Sequence, residues 1–94
     1  MSDFKVGDSE AEICFERGII YSCGREDTAV DMVEAHKWFN IAAMRGHQDA
    51  AQMRREVAQL MSDSDIGRAQ RAARDWLKLH AQPAMPVPAI RAAA

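Results

Sequence analysis

The fold class this sequence predicts is all-α, two helical hairpins stacked on one another, and three observations predict it. Seventeen residues are Ala, against twelve Val, Ile and Thr together, a balance that suits close-packed helices rather than pleated sheets. Ser9, Thr28 and Ser62 are each followed three positions later by an acidic residue, Glu12, Asp31 and Asp65, in the manner of a capping box ahead of an apolar run. Short polar stretches containing Gly24 and Gly46 separate the apolar runs, as loops between antiparallel helices do. At 94 residues the chain makes one small domain with a single, thin core.

The first helix starts near residue 10 behind Ser9, runs through AEICFERGIIY and stops near Ser22. Ala11, Ile13, Cys14, Phe15, Ile19, Ile20 and Tyr21 make it apolar around most of its circumference, so it needs neighbours on more than one side. The second starts near Ala29 behind Thr28 and ends at Gly46, a residue that tolerates the left-handed backbone of a helix C-terminus. The third follows almost at once, from about Gln48 to Leu60. Ser62 opens the fourth, which continues through IGRAQRAARDWLKL to about His80. Its apolar stripe of Ile66, Ala69, Ala73, Trp76 and Leu77 faces inward, with Trp76 expected against the third helix at Val57 and at Leu60 or Met61. Arg68, Arg71, Arg74 and Lys78 recur at spacings of three, three and four and form a basic ridge on the other side. The helical domain thus spans residues 9–82. The Pro- and Ala-rich tail 83–94, with Pro83, Pro86 and Pro88, is expected to be disordered.

Charge is uneven. Residues 1–49 hold five Lys/Arg against ten Asp/Glu, whereas residues 50–94 hold seven against four. Such halves attract each other, within one chain or between two copies. Cys14 and Cys23 lie about 13 Å apart along a continuous helix, too far for a disulfide. Two free thiols fit a reducing compartment. The segment MSDFKVGDSEAE lacks the apolar core of a secretory signal, and no run approaches the roughly 20 apolar residues of a membrane span. A cytoplasmic location is the expectation.

One stretch carries a pattern. Gly18, Tyr21, Gly24, Asp31, Ala35, Trp38, Ala42, Ala43 and Gly46 follow in an order that resembles the Sel1-like repeat, a relative of the tetratricopeptide repeat built from helical hairpins stacked into a solenoid. Gly and the small Ala residues let two helices approach closely, while Trp38 fills the wedge between them. The match is full over residues 11–50 and loose over 51–82, which read as a degenerate second hairpin or a cap. Arg17 stands where the family usually has Leu, the loop from Tyr21 to Asp31 is one residue longer, and its second Gly is missing. A solenoid generally needs about three repeats to bury a continuous core; this chain resembles a solenoid fragment.

The resemblance implies an adaptor of the bacterial type that binds other proteins and performs no chemistry itself. His36, His47 and His80 read as surface histidines, since they assemble no HExxH and no Ser-His-Asp order. No metal-ligand cluster or phosphate-cradling Gly loop is present in the sequence, so no cofactor or metal is expected. Glu12, Glu16 and Arg17, the outward polar residues of the first helix, are the expected partner contacts. The basic ridge, with Arg54 and Arg55, offers an alternative as a contact for nucleic acid or another acidic partner. A pI of 5.9 and the interleaved Asp63, Asp65 and Asp75 favour a salt-bridged or solvated face instead. Two occupants compete for the apolar excess of the first helix. One is a second copy of the chain, making a homodimer; the other is Phe4 and Val6 folding back over it.

Overall fold

A computed structural model describes residues 9–81. Among them the ordered elements are four helices: α1 Glu10–Cys23, α2 Met32–Met44, α3 Ala50–Ala58 and α4 Asp63–Leu79. The tail expected to be disordered lies outside the described residues.

Local chemistry accounts for where the helices begin. Ser9 in extended conformation accepts a hydrogen bond from the Glu12 amide, and Ser62 accepts one from Asp65. Each hydroxyl satisfies an amide that has no partner within the helix. The second helix corrects the sequence reading: it starts at Met32, not near Ala29, and its cap is Asp31, whose carboxylate accepts from the Glu34 amide. Thr28 is held in the loop, where its hydroxyl reaches the Glu26 carbonyl. Glu26 and Asp27 sit at φ 56° and 61°, left-handed conformations that keep this segment out of the right-handed helix. The Asp31 amide donates back to the Tyr21 carbonyl at 3.0 Å and closes the loop. Gly24, at φ 73°, ends α1 by donating to Ile20. The third helix is shorter than the expected Gln48–Leu60, because Asp49 makes no side-chain cap and Leu60 is 72% exposed.

α2 is the hub, and α1, α3 and α4 each pack on it. It buries Ala35, His36, Trp38, Phe39, Ile41 and Ala42, positions that go around the helix rather than along one stripe. Gly18 of α1 lies directly on the Phe39 ring, where an added Cβ would stand 2.5 Å from the nearest ring carbon. Beside that contact, Phe39 and Ala35 join Val57 of α3 in one core cluster, flanked by Met53 and Met61. A second cluster joins Cys14, Trp38, Ile41, Ala42 and Ala50 to Ala73 of α4.

Trp76 belongs to this second cluster, which overturns its expected place on α3. Its ring meets Trp38 edge-on at 5.4 Å between centroids, while Val57 lies in the other cluster. The aromatic pair holds α4 to α2, a geometry that adds to the area buried.

Candidate functional site: the outer face of the first helix

The nine residues of the repeat-like pattern all fall where α1 and α2 meet or turn. Ala35 and Ala42 are fully buried, Ala43 and Tyr21 half-buried, and Gly46 takes φ 99° just past α2. Trp38 is 6% exposed, and its indole N–H donates to Glu34 at 3.0 Å. The Arg17 guanidinium and the Lys37 ammonium lie 4.8 and 4.6 Å from its ring centroid, close enough for cation–π attraction. Tyr21 and Trp38 also line a shallow hollow of about 290 Å³, with Arg17, Ile20, Glu26 and Thr28 around it.

The three expected contact residues do not form one uniform set. Glu16 is exposed and pairs with Arg25 at 2.7 Å, a solvent-exposed bridge that contributes little to stability. Arg17 is exposed but rests on Trp38. Glu12 is half-buried and bound at 3.0 Å to His47 Nε2, so it ties α1 to the α2–α3 turn. Around them the face is apolar: Ile13 is 45% exposed and Ile20 half-buried.

The histidines differ from the surface positions expected of them. His47 is stacked on Phe15 at 3.9 Å between ring centroids. Its Nδ1 accepts from the Asp49 amide and its Nε2 donates to Glu12, so both ring nitrogens serve structural bonds and neither is free to take a proton from a substrate. His36 is 2% exposed on α2, and its Nδ1 has no partner. Burial pushes its pKa down, and the nearby Arg54 charge pushes it the same way. Of the three, only His80 is exposed.

Arg45 is the residue that sequence reasoning passed over. Its side chain is only 7% exposed and sits 3.5 Å from Glu10. It also donates to the His80 carbonyl at 2.8 Å and stands over the Trp76 ring. One guanidinium thereby joins the end of α2 to the start of α1 and the end of α4. Its position at the close of a helix was the only local signal, and that position usually means a solvated charge.

Arg68, Arg71, Arg74 and Lys78 are all exposed along α4, and Arg68 is paired with Asp65 at 2.9 Å. Among the described residues no group of three His, Cys, Asp or Glu could hold a metal ion, and no helix is long and apolar enough to cross a membrane. Cys14 is buried and Cys23 exposed, both free. No family model, curated protein or solved structure matches this chain.

Proposed function

We propose that this chain is a cytoplasmic, non-catalytic protein–protein interaction module of the Sel1-like kind, binding its partner on the outer face of α1. In this reading α1 and α2 form the hairpin of one repeat in a solenoid fragment, and α3 and α4, each packed on α2, stand in for a degenerate second hairpin or cap. The observation that carries the proposal is the exposed Ile13 beside the half-buried Ile20, bordered by Glu16 and Arg17, among the described residues. An apolar centre with a charged rim is what a protein interface requires.

The test is capture from an extract of the source cells on the immobilised full chain, beside an Ile13→Asp, Glu16→Lys variant. Both changes are at exposed positions, so the fold is checked by an unaltered thermal transition. A protein retained by the native chain and lost from the variant, with nuclease present, supports the proposal. Retention that disappears with nuclease, falls steeply with salt and is lost in an Arg71→Glu, Arg74→Glu variant overturns it in favour of nucleic acid.

A further inference from the structure

Three helices pack on α2, yet one line along it stays open. Val33, Lys37, Asn40 and Met44 follow at spacings of four, three and four, and none of the buried residues of α2 is among them. Such spacings keep to one side of a helix. Large apolar side chains stand at both ends of this line. Met44 is 66% exposed at the close of α2, and Val30, just ahead of its start, is 55% exposed.

The two ends carry opposite charge. At the start of α2 the loop presents Glu26 and Asp27, both exposed, beside Val30. Among the described residues neither carboxylate is in an ion pair, and the adjacent Arg25 is taken by Glu16. The loop is held in place by the bond from the Asp31 amide to the Tyr21 carbonyl, and Val30 rests against Gly24. At the other end, Met44 and Leu77 form the apolar part of a hollow of about 350 Å³ between α2 and α4, with Asn40, Gln70 and Arg74 around it. Arg71, Arg74 and Lys78 are exposed and, among the described residues, make no ion pair. Asp75 is two residues from Leu77 and so turns to the other side of α4.

These charges do not meet within one chain. α2 has 13 residues, which sets the acidic loop and the basic hollow about 20 Å apart. A second copy laid antiparallel along the same line brings both pairs of ends together at once. Val30 of each copy then reaches Met44 and Leu77 of the other, while Glu26 and Asp27 reach Arg71, Arg74 and Lys78. Met is suited to such a contact because its unbranched side chain adapts to the surface it meets. Phosphates of a nucleic acid would answer the cations alone and leave Met44, Val30 and the acidic loop without a role.

We propose that this side of α2 is the interface of a homodimer, in which loop 26–30 of each copy seats in the α2/α4 hollow of the other. The pairing has twofold symmetry, so the same contact forms twice and growth stops at two chains. It leaves the outer face of α1 free, since Phe39, on which Gly18 of α1 lies, is about 140° round α2 from Met44. The dimer therefore does not rest on the binding of another protein at α1.

The test is sedimentation equilibrium of the full chain, freed of nucleic acid, over a concentration series at low salt. The mass rises to that of two chains and no further, and added salt lowers it. One variant carries Glu26→Lys and Asp27→Asn, the second change keeping a residue that tolerates the left-handed backbone. Another carries Arg71→Glu and Arg74→Glu. Each alone weakens the dimer at least about tenfold by setting like charges together. Mixed with each other they recover it, because every reversed end then faces an opposite charge. Met44→Ser weakens the dimer as well. Thermal transitions of the dilute, monomeric variants that match the parent's show that the fold is kept.

A mass of one chain at every concentration overturns the proposal. So does a dimer that both charge variants leave intact, or one that they break and mixing does not restore. A mass that climbs past two chains replaces the closed pair with a head-to-tail contact and overturns it too. The Ile13→Asp, Glu16→Lys variant of the capture experiment should dimerise as the parent does; a dimer lost there places the pairing on α1 instead.

Discussion

Gly18→Ala is the substitution on which helix propensity and tertiary packing disagree most. Within α1, Ala is favoured over Gly by about 1 kcal/mol, so local reasoning expects a more stable protein. The added methyl would stand 2.5 and 2.6 Å from two carbons of the Phe39 ring, against 3.4–4 Å for ordinary contact. Phe39 is fully buried between α1 and α3, so α1 or the ring must shift by about 1 Å in a close-packed core. Overpacking of that size costs about 3 kcal/mol, which leaves a net loss of about 2 kcal/mol. For a domain this small the melting temperature falls by roughly 10 °C. Gly67→Ala in α4 is the control, since its new methyl meets only the end of the flexible Arg71 side chain at 3.4 Å. That variant gains up to about 1 kcal/mol from helix propensity. Circular dichroism melts of both variants and the parent read the difference. A Gly18→Ala protein as stable as the parent would refute the close approach of α1 to Phe39. Adding Phe39→Leu should recover part of the loss, the non-additivity expected of residues in contact.

Trp38→Ala removes the ring shared by α1, α2 and α4 and costs about 3–5 kcal/mol, enough to abolish a cooperative unfolding transition in a small domain; a transition within a few degrees of the parent's would contradict that placement. His36 makes stability depend on pH. Its pKa is lowered in the folded protein by burial and then by Arg54, so the unfolded chain binds the extra proton first. Stability is therefore complete above about pH 6.5 and declines as pH falls toward the lowered folded value. His36→Gln flattens that part of the curve in denaturant titrations. The two thiols should react at different rates with a thiol reagent under native conditions: Cys23 is exposed, whereas burial and then Glu10 push the Cys14 thiol up. A Cys14 that reacts as fast as Cys23 would mean that the α1–α2–α4 core opens readily. Ser62→Ala removes the cap of α4 and costs about 1 kcal/mol, measurable as a lower denaturation midpoint.

Much of the helical skeleton was legible because its signals are local. Ser9 and Ser62 each satisfy an amide three residues on, and Gly24 takes a backbone conformation that few other residues tolerate. Such contacts need no knowledge of the rest of the chain. The start of α2 was misplaced by three residues because Thr28 and Asp31 are both good caps. What chose Asp31 was the loop closed between its amide and the Tyr21 carbonyl, ten residues apart in sequence.

Partner choice between helices is where sequence reasoning failed, and the cause is physical. An apolar stripe specifies that a face is buried without specifying what buries it. Trp76 suits α3 as well as α2 in pattern; only the three-dimensional arrangement put it against Trp38. The same holds for His36, whose ring looks like any surface histidine until the core closes over it and leaves it 2% exposed. Arg45 ties three helix ends together through atoms up to 35 residues apart. The sequence by itself determined four helices and, through Ser9 and Ser62, the caps that start two of them. The tertiary structure decided that α2 is their hub and that, among the described residues, nothing packs over Ile13 on the outer side of α1, because burial depends on contacts distant along the chain.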